Sequence, residues 1–327
     1  MELFVAVAGS GAGTRVMTSP DGIDWTLRST PVDNIWASSA WSPELGVLVA
    51  TALTGTGNRA MSTTDGINWT IRTSAANRQW WGVTWSPEVG LFVAVGDFGS
   101  GEKVMTSPDG ANWTSRVAIN RAWRAVAWSP ELGLFAAVAS DTTGTGAMTS
   151  PDGINWTVRT TPTGEFWRDI TWSPETGLFV AVTLGSSGSN NVMTSPDGIN
   201  WTMRTGAANN QWLSVTWSPQ LSLFVSVSVN GTGNRIMTSP DGINWTPRSN
   251  PVAAPWAGVC WSPPLGLFVA IAGTGSSNVM TSEDGIIWTP QTGAADLDWR
   301  YVIWAGSSTP LIPTGFWTER LRATETI

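Results

Sequence analysis

Few of the 327 residues could carry chemistry, and those few fall in a pattern. Arg124, Arg168 and Arg300 share one recurring slot, each directly after a tryptophan, and the single tyrosine, Tyr301, follows Arg300. Glu165 and Asp169 lie beside Arg168. Brought together, these residues would make a cationic cluster with a phenol and two carboxylates. Other reactive groups are scarce. There is no histidine, so the commonest metal ligand and acid–base side chain is missing. A lone Cys260 excludes an intrachain disulfide and a thiolate zinc site. Its slot holds Thr84, Ala127 and Thr171 in other repeats, which marks it as a small packing residue. The remaining carboxylates form no recognisable pair for glycoside hydrolysis. The expectation is a chain without catalytic residues, metal or cofactor.

Tryptophan offers a second chemistry. Trp36, Trp80, Trp123, Trp167, Trp212, Trp256 and Trp299 each open the same kind of segment, and Trp81 follows Trp80. Indole faces beside Asn, Gln, Ser and Thr suit sugars, which present C–H patches and hydroxyls. One weak site per repeat would gain strength through multivalency. The same indoles could instead be packing between repeats, and spacing alone leaves both readings open.

Charge and hydropathy remove other classes. The net charge is −7 and Lys103 is the only lysine, so the basic cluster that nucleic acid requires is absent. No apolar run approaches the ~20 residues of a membrane span. The N-terminus enters a strand pattern at once and offers no charged-then-apolar leader. A cytoplasmic location or a place on a particle surface both fit.

The elements that position these residues follow from one stretch, Val192-Met-Thr-Ser-Pro-Asp-Gly-Ile-Asn-Trp-Thr-Met-Arg204. Its Asp recurs as Asp21, Asp65, Asp109, Asp152, Asp197, Asp241 and Asp284, at intervals of about 44 residues. Each full interval holds four short segments rich in β-branched and aromatic residues, bounded by Gly, Pro, Asn, Asp or Ser. Four strands per interval predict a propeller blade. The phase adds a constraint. The chain begins with a second strand, Leu3-Phe-Val-Ala-Val7, and its repeats end with a first strand, Trp299 to Trp304. The spacing therefore predicts a seven-bladed all-β propeller over 1–304, four antiparallel strands per blade. Its closing blade would be built from 1–30 plus 297–304. A tail, 305–327, would pack on the disc or dock to a partner.

Two turns repeat almost unchanged, Trp-Ser-Pro-Glu-Leu-Gly and Ser-Pro-Asp-Gly, and alternating strands place both on one rim. The loops on the opposite rim vary from repeat to repeat, and variable loops are where partner contacts are expected. Arg28, Arg72, Arg116, Arg159, Arg204 and Arg248 follow the turn tryptophans by three residues and are expected to bridge blades or stack on indoles.

Ser-Pro-Asp-Gly-Ile-Asn-Trp resembles the Asp-box, or BNR repeat, of sialidases and related propellers, one residue shorter than the usual box. The resemblance covers 1–304 through seven copies. It implies a hairpin in which Asp accepts backbone N–H groups, Gly takes a positive φ and Trp covers the underside. That family's sialidases use an arginine triad, a tyrosine nucleophile with a glutamate partner, and an aspartic acid. None of Arg124, Arg168, Arg300 or Tyr301 matches those motifs residue by residue. The chain also looks like propeller lectins and phage or bacterial surface repeat proteins. The resulting expectation is a non-enzymatic recognition module that binds carbohydrate in the manner of a lectin. The alternatives are a structural or decoration protein of a larger assembly and a sialidase-like hydrolase. A glycan or a protein is the expected partner.

Overall fold

A computed structural model describes residues 1–97, 101–141, 143–185, 188–275 and 277–308, all strand, turn or loop. It contains 28 strands arranged as seven antiparallel blades of four. Blades 1 to 6 span 36–72, 79–117, 123–159, 165–204, 212–248 and 256–291. In the seventh blade the last strand, Trp299–Ala305, lies beside the first, Leu3–Ala8, with Phe4 opposite Trp304 and Ala6 opposite Val302. The first strand of every blade touches the first strand of both neighbours, and the strand Trp299–Ala305 also contacts Trp36–Ser42. The ring is therefore closed, and backbone hydrogen bonds between the two ends of the chain close it. The proposed tail lies outside the described residues from 309 onward.

First strands line the central channel. Second strands, of the Leu-Phe-Val-Ala-Val type, are buried on both sides because a neighbouring blade covers each face. Outer strands are only three or four residues long and partly exposed. Short edges of this kind offer little to a pairing partner. Blades 3 and 4 depart from the pattern. The strand Leu134–Asp141 is longer than its counterparts and pairs with Glu165–Ser173 of the next blade, Ser140 opposite Phe166. The two blades thus share one eight-stranded sheet.

The Ser-Pro-Asp-Gly turn explains its own repetition. Its serine hydroxyl accepts the glycine N–H, as from Gly22 to Ser19 at 2.8 Å. The aspartate accepts the two following N–H groups, as from Ile199 and Asn200 to Asp197 at 2.8 and 2.7 Å. The glycine also meets the preceding blade. Gly110 has φ +70, and a Cβ there would sit 2.7 Å from Val49 Cγ2. Gly90, in the other repeated turn, has a similar φ of +68 but faces open space.

This difference yields a test. Gly90→Ala is expected to cost about 1–2 kcal/mol, the left-handed backbone penalty alone. Gly110→Ala adds an overpacking cost of about 1–3 kcal/mol. Equal losses in urea unfolding would show that the turn does not pack against its neighbour.

Candidate functional site at the loop-side channel mouth

The seven first-strand tryptophans do not face a ligand. Trp36, Trp80, Trp123, Trp167, Trp212, Trp256 and Trp299 are all 0% exposed. Each is wedged between its own blade and the one before, as Trp212 is against Val180, Val182 and Val192. Several donate the indole N–H to a carbonyl four residues earlier, as Trp123 does to Ile119 at 3.0 Å. The exposed-ring reading is corrected: neighbouring blades cover both indole faces. The repeated arginines are corrected too. Arg28, Arg72, Arg116, Arg159, Arg204 and Arg248 donate Nε to a Thr or Ser hydroxyl of the adjacent strand of the same blade, at 2.8–3.0 Å. They tie strands within a blade, not blades to one another.

The turn aspartates Asp21, Asp65, Asp109, Asp152, Asp197, Asp241 and Asp284 are engaged within their own turns. Burial works to raise the Asp197 carboxyl, but the N–H groups of Asn200 and Ile199, the Asn200 amide and the Ser195 hydroxyl outweigh it and hold it at about 2. Asp109, Asp152 and Asp241 are held at about 2 in the same way.

A different set of residues converges. In every blade the register of the first strand shifts just after its first tryptophan. The extra residue is a β-bulge, a device that re-aims a side chain. The bulged residues are, in ring order, Ala37, Trp81, Arg124, Arg168, Leu213, Ala257 and Arg300, and all seven line the same narrow end of the channel. Four predicted site residues therefore meet there, with Tyr301 and Asp169 just beneath. Neither Glu165 nor the buried tryptophans belong to this lining.

The charges at this mouth are unequally compensated. Arg124 pairs with Asp97 at 2.6 Å, and Asp97 is nearly inaccessible. Burial raises the Asp97 carboxyl, opposed by Arg124, the Trp81 indole N–H and Lys103. Arg300 donates Nε and a terminal nitrogen to Asp298 Oδ2 at 2.9 and 2.7 Å. Arg124 and Arg168 both lie over the Trp81 ring, with Cζ 4.2 and 4.5 Å from its centroid. Such cation–π contacts are worth about 0.5–2 kcal/mol each. Burial, Arg124 and Arg300 lower the Arg168 guanidinium to about 10, opposed by Asp169, so it stays charged at neutral pH. Asp169 does not bond it. Its oxygens accept the N–H groups of Ile170 at 2.9 Å and of Val215, on the next blade, at 3.0 Å. Burial still pushes Asp169 up to about 6 against those N–H groups. Ser38 and Ser214 hold the same interblade bond in their blades. Burial, Asp169 and Cys260 push the Tyr301 phenol well above its usual range.

A cavity of about 290 Å³ adjoins this mouth over blades 4 to 7, with Arg168 and Arg300 in its wall. Sequence reasoning missed Asp97, Asp298 and the small bulge residues that leave this space. One signal was available for Asp97: its slot holds Gly9, Leu53, Ser140, Leu184, Val229 and Gly273 in the other blades. The opposite end of the channel is a wider funnel of about 530 Å³, walled by the second tryptophans and the turn prolines.

Together the closed ring and its channel define a β-propeller. No family model matches the sequence, and no curated protein matches it. Similar solved structures include YCF48 bound to D1 peptide, at 16% identity over 80% of this chain and 81% of that one, TM-score 0.58. Streptogramin B lyase is similar at 9% identity over 92% and 91%, TM-score 0.69. The periplasmic gluconolactonase PpgL of Pseudomonas aeruginosa is similar at 12% identity over 93% and 99%, TM-score 0.67. At these identities the shared property is the fold.

Two outcomes are expected. Trp212→Ala costs about 3–5 kcal/mol in urea unfolding, as a buried aromatic, whereas Trp81→Ala, which loses two cation–π contacts at a partly open mouth, costs about 1–2 kcal/mol. Comparable losses would place Trp81 in the core. Asp197→Ala costs about 1 kcal/mol at pH 7, because its hydrogen bonds are solvent-screened. The folded carboxyl is held at about 2, below its unfolded value of ~3.9. Its contribution is thus full above about pH 4 and disappears as pH falls towards about 2. A mutant–wild-type gap that stays constant from pH 5 to 2 would remove the turn carboxylate from acid stability.

Proposed function

We propose that this protein is a non-enzymatic recognition module that binds its ligand at the loop-side mouth of the channel. The carrying observation is the bulge in each first strand, which brings three guanidinium groups and one indole together beside an open cavity. Carbohydrate is the ligand this geometry favours, because a half-buried indole, cationic donors and an apolar wall suit a polyhydroxylated ring. The multivalent form of that reading is set aside. Seven indoles in the core offer nothing to a sugar, and the seven bulge residues differ from one another, so one site per chain is expected in place of seven.

Recognition without turnover is supported by the state of the acid–base groups. A phenol pushed up in pKa is a poor nucleophile, and Asp169 is tied to backbone N–H groups of two blades. A second reading, a structural or decoration protein of a larger assembly, is favoured by the turn-side rim. Ile23, Ile67, Ile154, Ile199, Ile243 and Ile286 stand there 38–50% exposed, one in each of six blades, with Ala111 in the seventh. YCF48, a structure of similar fold, is bound to a D1 peptide, which supports a protein partner for this reading.

A glycan array is the deciding experiment. Binding to a defined set of glycans, weakened at least about tenfold by Trp81→Ala, about 1.4 kcal/mol, supports the reading. A silent array, together with migration of the protein in a particle-sized complex, would favour assembly instead.

A further inference from the structure

We propose that the cavity beside Arg168 binds a single acidic sugar residue, such as a uronic acid, with its carboxylate on the Arg168 guanidinium. This rests on the recognition reading and names the chemistry of its ligand.

Among the described residues, Arg168 is the one arginine of the mouth with no carboxylate at ion-pair distance. Arg124 is matched by Asp97 and Arg300 by Asp298. Asp169, next to Arg168 in sequence, directs its oxygens to the N–H groups of Ile170 and Val215. What remains is a planar fork of donors, stacked on Trp81 and bordering the cavity. Such a fork takes a carboxylate in two parallel hydrogen bonds. Two of the three guanidinium groups are ion-paired, and Asp169 lies near the third without bonding it, so one set of donors is left and suits a monoanion better than a phosphate ester.

The rest of the cavity sets the size and the second face of the ligand. About 290 Å³ accommodates one residue-sized ring. Leu213, Val229 and Ala257 form an apolar wall. Opposite in character are Asp298 and Thr274, which also line the cavity. Asp298 gives only Oδ2 to Arg300, which leaves Oδ1 and the Thr274 hydroxyl to meet ligand hydroxyls. An apolar wall, one carboxylate anchor and free hydroxyl partners match a pyranose acid, with its C–H face, charged group and hydroxyl edge. An extended peptide is disfavoured. Two backbone N–H groups of the cavity lining are already paired, Gly273 donating to Pro255 O at 2.9 Å and Val229 to Gln211 O at 3.1 Å, and so are not open to a peptide strand.

The test is titration of the full chain with sodium D-glucuronate, read by NMR and calorimetry, with glucose, methyl glucuronate ester and an acetylated glutamate-containing peptide as comparators. Glucuronate is expected to bind one to one and to displace any array ligand. Glucose and the ester are expected to bind at least about tenfold more weakly, since they lack the charged group. Arg168→Gln should weaken glucuronate at least about tenfold, and Arg168→Lys should restore part of it. Ala257→Phe, which narrows the cavity without altering charge, should abolish binding while the protein still unfolds at the wild-type temperature. Equal binding of glucose and glucuronate at this cavity would overturn the carboxylate anchor and leave the recognition site standing. Tighter binding of the peptide would overturn the sugar assignment. No shift with glucuronate, in a protein that still binds its array ligand, would overturn the inference alone.

Discussion

Everything in this molecule depends on the burial of one indole between each pair of neighbouring blades. A four-stranded blade has two apolar faces and no helix to cover either, so it must be sandwiched by its own kind. The first tryptophan of each blade fills that sandwich on the loop side, and the glycine of the aspartate turn lets the same two blades approach on the turn side. An open stack would leave two faces bare. Closure removes both, and pairing the last strand with the first makes separation of the terminal blades break a ladder of backbone hydrogen bonds as well as expose surface.

The turn-side rim adds polar fastening to this packing. The second tryptophan of one blade donates its indole N–H to the Glu or Gln in the first turn of the preceding blade, as in Trp85 to Glu44, Trp172 to Glu131 and Trp261 to Gln220. The pattern lapses where the chain ends meet. Trp304 bonds the Ser307 carbonyl, because the turn of the preceding blade carries Pro264 in the Glu/Gln slot, and the Trp41 indole nitrogen is buried without a partner, because no such turn follows the closing blade's first strand among the described residues. Glu2 holds Ser307 N–H at 2.9 Å across the same seam. The seam is thus fastened by local substitutes in place of the repeated latch.

Against this near-symmetric frame, the bulge in the first strand is the device that generates difference. It frees one residue per blade from pairing, so that residue can vary without cost to the ladder. Four are aromatic or charged, one is leucine and two are alanine. Trp81, Arg124 and Arg168 crowd blades 2 to 4, while Leu213 and Ala257 border the cavity over blades 5 and 6. Charge distribution follows the same asymmetry. Arg124 is matched by Asp97 of the preceding blade and Arg300 by Asp298, just before its own strand, whereas Asp169 does not bond Arg168. The single off-centre site we propose would follow from a scaffold whose walls repeat and whose bulges do not.

Much of the architecture was legible in the chain. An interval that recurs, four strand patterns within it and a phase that starts on a second strand lead to seven blades and a shared closing blade, because these are local patterns read at fixed spacing. The slot shared by Arg124, Arg168 and Arg300 was visible for the same reason. Whether that slot faces the lumen was not, since the bulge that turns it inward exists only in the pairing of two strands. The fate of the seven leading tryptophans was equally hidden. An indole reads the same whether solvent or a neighbouring blade lies over its face, and burial is decided by residues about forty positions away. Compensation of charge belongs to that category as well: Asp97 reaches Arg124 from another blade, while Asp169, adjacent to Arg168 in the chain, turns away from it towards backbone N–H groups. Sequence sets what is near along the chain; only the closed ring decides which side chain meets which across it.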